Sequence, residues 1–138
     1  MTTGAPRRAL LDTSVVIDFP AVRIAKVDEV AVSAVTIGEL QYGVTAAVDP
    51  LTQMYRRRRV QAVLDRFKVL SFDVGAAEYY GTLAALVRQR GRNPRPRRMD
   101  LQIAATAVRH GLMLLTRNGK DFAGLESALE VVDLQNQH

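Results

Sequence analysis

Four acidic residues stand where alternating strands and helices gather charge. They are Asp12 at the end of "ALLD", Glu39 within "TIGEL", Asp100 at the head of "DLQIAATA" and Asp121 within "TRNGKDF". Each ends an apolar run, sits early in a helical pattern, or lies in the loop after a strand. Gathered in one place they repel: two carboxylates 4 Å apart oppose each other by roughly 4 kcal/mol at an effective dielectric near 20. Such a group raises its own pKa values, forces the site open, or takes a cation. The donors are all oxygens, the chain has no cysteine, and neither histidine suits the role, so the set selects a hard ion, Mg²⁺ or Mn²⁺. A hard ion makes a water easier to deprotonate and polarises phosphoryl oxygens, which is the chemistry of phosphodiester hydrolysis.

Taken singly, each acid also has a structural reading. Asp12 would cap the helix that follows it, Glu39 would be an exposed helix residue, Asp100 an N-cap and Asp121 a turn residue. The joint pattern favours chemistry. The remaining acids considered (Asp28, Asp65, Asp73, Glu78, Glu126 and Asp133) read as surface or chain-end residues.

The elements that must position these residues are legible from periodicity. "RALLD", "EVAVSAV" (29–35), "KVLSFD", "LMLLT" and "LEVVDL" read as strands. A helical pattern begins at Thr36 and breaks at Asp49-Pro50. A second helix runs from about Leu51 to Phe67, with Leu51, Met54, Tyr55, Val60, Val63, Leu64 and Phe67 as its apolar stripe. "GAAEYYGTLAALVRQRG" is a long helix that stops at Gly91 and Pro94, and "DLQIAATAVRHG" is a compact one closed by Gly111. Strands separated by helices require crossovers. The expected architecture is therefore α/β, a three-layer α/β/α sandwich on a mostly parallel sheet, whose ligands gather at the carboxyl ends of the strands. At 138 residues the chain is expected to form one domain, 1–138, with residues 1–6 as a flexible tail.

Charge points to a polyanionic partner. The net charge is +5, and arginine clusters at "RRRR" (56–59) and across "RQRGRNPRPRR" (88–98). Arg57, Arg58, Arg97 and Arg98 are the candidate contacts to a phosphate backbone, because arginine matches phosphate bidentately, with solvated helix faces or contacts to an acidic protein as the alternative. No run approaches the roughly 18 apolar residues of a membrane span, and the N-terminus lacks the apolar core of a signal peptide. A cytoplasmic location is expected. Rival chemistries lack their motifs: there is no phosphate-binding glycine loop and no convincing Ser–His pair. His110 reads as a helix C-terminal residue, and Tyr79, Tyr80 and Leu83 as core.

The blocks "LLDTSVVID", "TIGELQYGV", "DLQIAATAVRHGLMLLTRNGKDF" and "VVDL", in this order, resemble those of PIN-domain proteins, and most closely the VapC-type toxins of bacterial toxin–antitoxin pairs. The resemblance implies a parallel α/β/α fold and Mg²⁺- or Mn²⁺-dependent endoribonuclease activity on structured RNA such as tRNA or rRNA. It places the family's acids on Asp12, Glu39 and Asp100. The fourth falls on Asp121 or on the position that Asn118 holds here. Thr13, Ser14 and Thr116 are implied to orient carboxylates or waters. The resemblance further implies a homodimer, with the helices between Glu39 and Phe67 as the surface to inspect, and a VapB-type antitoxin as protein partner. A non-catalytic RNA-binding or scaffold protein on the same fold is the alternative.

Overall fold

The computed structural model describes residues 7–17 and 27–136; the expected flexible tail, 1–6, lies outside them. Five strands, β1 (Arg8–Leu11), β2 (Glu29–Ser33), β3 (Lys68–Leu70), β4 (Met113–Thr116) and β5 (Val131–Asp133), form one sheet in the order β3-β2-β1-β4-β5. Every pairing is parallel. Both faces are covered because successive side chains on a strand point to opposite sides and here both sides are apolar. Ala9, Leu11, Val32, Met113 and Leu115 pack into one core, while Leu10, Ala31 and Leu114 pack into the other.

The first core is roofed by α1 (Thr13–Ile17), α2 (Ala34–Ala46) and α3 (Pro50–Arg66), through Val15, Val16, Leu40, Val44, Val60 and Val63. The second is roofed by α4 (Val74–Gln89) and α5 (Arg98–His110), through Leu83, Ala84, Leu101, Ile103, Ala104 and Ala107. Local chemistry sets the helix ends. Ser33 accepts from the Val35 amide, Asp49 from Thr52 ahead of Pro50, and Asp73 from Ala76. Gly111 closes α5 at φ 67°, a left-handed conformation that glycine adopts freely.

Three sequence-based expectations shift. The Ser33 cap starts α2 at Ala34, so β2 stops at Ser33 and does not run on to Val35. The apolar stripe of α3 is only partly filled: Val60, Val63 and Phe67 are buried, whereas Leu51, Tyr55 and Leu64 stay exposed. Of Tyr79, Tyr80 and Leu83 on α4, all expected in the core, Leu83 is buried and Tyr80 is half-buried edge-on to Phe72, whereas Tyr79 is exposed because it lies off the face that packs on the sheet. No helix among the described residues is long and apolar enough to cross a membrane.

The strand order reverses between β1 and β4. Strands β2 and β3 build outward from β1 on one side, and β4 and β5 on the other. Carboxyl ends at such a switch point leave a crevice between departing loops. Asp12 directly follows β1, and Thr116 ends β4.

Candidate acidic site at the sheet switch point

The Asp12 amide donates to the Leu115 carbonyl at 2.9 Å, which extends the β1–β4 pairing by one step and fixes where the side chain starts. That side chain is buried. Its Oδ2 accepts from the Ser14 hydroxyl at 2.9 Å and from the Thr116 hydroxyl at 2.8 Å. Each hydroxyl has one proton, spent on Asp12, and a lone pair that takes a backbone amide: Arg117 N–H donates to Ser14 and Asn118 N–H to Thr116. Asp12 Oδ1 takes no bond from any described residue. The side chain is thus held by two hydroxyls; the amides of Val15 and Val16 that open α1 donate to its backbone carbonyl.

Glu39 lies in the second turn of α2, and its Oε1 accepts from the Thr13 hydroxyl at 2.7 Å. Thr13 gives its one proton to Glu39, so Thr36, 3.0 Å away and fully buried, must donate to Thr13. The relay runs Thr36 to Thr13 to Glu39. Thr36 carries no signal in the sequence, because a buried threonine on a helix looks like packing.

Asp100 sits in the first turn of α5, where the helix dipole favours an anion. It is not the N-cap; that position belongs to Arg97, which makes no side-chain cap bond. The Asp100 carboxyl is pushed up to about 6, first by burial and then by the charges of Asp12, Asp121 and Glu39, while Arg97 pulls it back. Asp12, Glu39 and Asp121, all distant from it in the chain, are therefore each within electrostatic reach of Asp100. Asp121 lies in the short 3-10 turn Gly119–Phe122. Among the described residues no three of these groups are drawn close enough to hold one ion as they stand. A cation from the chain lies between two of them: Arg97 Nη1 is 2.8 Å from Asp121 Oδ1 and 3.7 Å from Asp100 Oδ2.

Asp133, which the sequence offered only as a structural acid, has a place at this edge. It ends β5 opposite Thr116 and accepts from the Gly119 amide at 2.9 Å, anchoring the turn that carries Asp121. The fit is close, since a Cβ on Gly119 would lie 2.6 Å from Asp133 Oδ2. "NGKD" followed by an acid-ended strand is the only sequence hint of this anchor. The other acids read as structural behave so where their bonds are seen: Asp28 accepts from Arg7, Asp65 from Gln61, Asp73 caps α4 and Glu126 accepts from Gly124.

Of the candidate arginines, Arg97 reaches the acids and Arg98 bonds the Arg95 carbonyl. Arg57 and Arg58 sit on exposed arcs of α3. The flanking members of their run, Arg56 and Arg59, line a hollow with Thr13 and Glu39. Asn118 gives the site its backbone amide and stays exposed. His110 lies with Arg8, Glu29 and Lys68 at the opposite, amino edge of the sheet, away from the acids.

Comparison with known proteins follows this geometry. The PIN domain profile matches residues 9–127. Ribonuclease VapC4 of Mycobacterium tuberculosis is 37% identical over 133 residues, covering 93% of this chain and 98% of that protein. Among solved structures, a member of the VapBC family of toxin–antitoxin systems, VapBC-5 of Mycobacterium tuberculosis, superposes with a TM-score of 0.77 at 34% identity, covering 92% of this chain and 97% of that one. FitAcB of Neisseria gonorrhoeae superposes with a TM-score of 0.74 at 26% identity, covering 94% and 99%.

Two outcomes are expected. Asp100 binds its proton more tightly folded than unfolded, so the native state holds more protons between the ordinary value of 3.8 and about 6. Stability falls as pH rises through that window, and the penalty is complete above it. In metal-free buffer Asp100→Asn should be more stable than the parent at pH 8 and no more stable at pH 3.5. The gain at pH 8 is roughly 1–2 kcal/mol once solvent screening is allowed for, read by urea unfolding at each pH. Gly119→Ala should cost about 1–3 kcal/mol by overpacking against Asp133, and distinctly less in an Asp133→Gly background, which removes both the carboxylate and the Cβ that the new methyl would meet. Equal costs in both backgrounds would mean that the two residues do not act on each other.

Proposed function

This chain belongs to the PIN-domain family, and from that premise we propose that it is a VapC-type endoribonuclease, the toxin of a toxin–antitoxin pair, that hydrolyses RNA phosphodiester bonds with Mg²⁺ or Mn²⁺. The observation that carries this reading is the convergence of Asp12, Glu39, Asp100 and Asp121 at the switch point, registered in the raised Asp100 carboxyl.

The donor chemistry suits a hard divalent ion, which the acids would have to draw closer together to hold. The donors are carboxylate oxygens, Asp12 is buried with Oδ1 open, and the described histidine lies at the far edge. Asp12 and Asp100 would be the main ligands, with Glu39 and Asp121 completing the set directly or through water. Bound there, the ion supplies Lewis acidity toward a phosphoryl oxygen and eases deprotonation of a water.

The chain's own groups do the rest. Ser14 and Thr116 fix the Asp12 carboxylate without neutralising it. The Thr36–Thr13 relay orients Glu39 so that its other oxygen can accept a proton from an attacking water. Arg97 supplies positive charge at the mouth, where a scissile phosphate must approach. The substrate is RNA, the protein partner is a VapB-type antitoxin, the chain acts as a homodimer, and its place of action is the cytoplasm.

With Mg²⁺ present, Asp12→Asn should lower RNA cleavage at least 100-fold while the circular dichroism spectrum and melting temperature stay near the parent's. Cleavage at the parental rate would assign the fold a binding or scaffold role instead. Arg97 competes with the ion for Asp100 and Asp121, so Arg97→Ala should tighten Mn²⁺ binding several-fold by calorimetry. Unchanged or weaker binding would show that the guanidinium does not hold the cation's place.

A further inference from the structure

Two hollows lined by arginine lie beside the acids, one in each helical layer. The first, of about 360 Å³, is bounded by Thr13, Glu39, Leu40, Gly43, Arg56 and Arg59. It belongs to the α2–α3 layer, and Glu39 links it directly to the acidic site. Of the run 56–59, these two arginines line the hollow. Arg56 stands four residues before buried Val60 and Arg59 four before buried Val63, so both lie beside the packed face, whereas Arg58 points to the opposite arc. Arg56 is fixed by a 2.7 Å bond from Nη1 to the Gly43 carbonyl. Arg59 makes no ion pair among the described residues.

The second hollow, of about 750 Å³, lies in the α4–α5 layer and is lined by Tyr80, Ala84, Arg88, Asn93, Arg95 and Arg98. It contains no acid among its described lining residues. Its Arg95–Arg98 end adjoins Arg97, which touches Asp100 and Asp121. Arg88 and Arg95 make no ion pair among the described residues.

We propose that the substrate strand crosses the carboxyl edge of the sheet from one helical layer to the other, with Arg59 and Arg56 taking a backbone phosphate on one side of the acids and Arg95 and Arg88 taking one on the other. This rests on the nuclease reading and deepens it. A polyanion seated over four carboxylates must be compensated on both flanks, and the two hollows put guanidinium groups without carboxylate partners there. Arginine serves this better than lysine because its fork engages two phosphate oxygens at once.

The test uses a labelled single-stranded RNA oligonucleotide and the full chain carrying Asp12→Asn, so that binding is read without cleavage. Removing one arginine–phosphate pairing should flatten the slope of log K against log salt concentration by about 0.7. Arg59→Ala and Arg95→Ala are each expected to do so, and their combination to flatten it by about 1.4. Lys68→Ala removes the same charge at the amino edge and should leave the slope unchanged. Equal flattening by Lys68→Ala and Arg59→Ala, or no change from either arginine, overturns the proposal. So does intact RNA binding accompanied by loss of polyglutamate binding, which would make the hollows seats for an acidic protein segment. Cleavage of RNA by the unmutated chain in Mg²⁺ is measured alongside; its absence counts against the nuclease reading itself, independently of the slopes.

Discussion

Repulsion of Asp100 by three other carboxylates at one sheet edge is the constraint around which the candidate site is arranged. The fold places them there as a consequence of topology. A parallel sheet sends every strand's carboxyl end to one side, and the reversal of strand order between β1 and β4 opens a crevice where Asp12 emerges. The helices that follow or precede those strands bring Glu39, Asp100 and Asp121 to the same rim. No local preference of the chain favours this concentration of charge. The burial of two apolar sheet faces does, since only the stacked layers over Leu10 and Leu114 on one side and Leu11 and Leu115 on the other fix the edge in place.

Much of this was legible in the sequence because it depended on short-range pattern. Alternating apolar runs and helical periods gave the strands, the helices and the parallel arrangement, and Asp12 and Asp100 could be placed at element ends by counting. Asp121 was legible only as one of two choices with Asn118; the structure brings Asp121 into the field of Asp100 and leaves the Asn118 side chain exposed. Illegible features were those set by packing between remote segments. The Asp133 anchor on Gly119 crosses 14 residues and depends on a glycine too crowded for a Cβ. Which arginines of the run at 56–59 face the site depends on how α3 packs against α2, and composition is silent about that. The overestimated stripe on α3 has the same origin: periodicity reveals an apolar face but not how wide a neighbour covers it.

The partners of the acids fall into two kinds, and the difference bears on how such a site works. Ser14, Thr116, Thr13 and Thr36 are neutral, buried or half-buried, and fixed to the layers by backbone bonds or by one another. They orient carboxylates without quenching their charge, because a hydroxyl donates one proton and keeps none in reserve. The only full positive charge paired with the acids among the described residues is Arg97. Its side chain is 48% exposed and stands at the junction of a 3-10 turn with α5. Water screens the half-exposed guanidinium from Asp100 and Asp121, so it can leave them at less cost than a fully buried partner, whose removal would strand an unpaired charge in a low dielectric. Permanent orientation is thus assigned to neutral groups and charge compensation to a releasable one. That division leaves the carboxylates oriented and charged whether or not the guanidinium stays beside them.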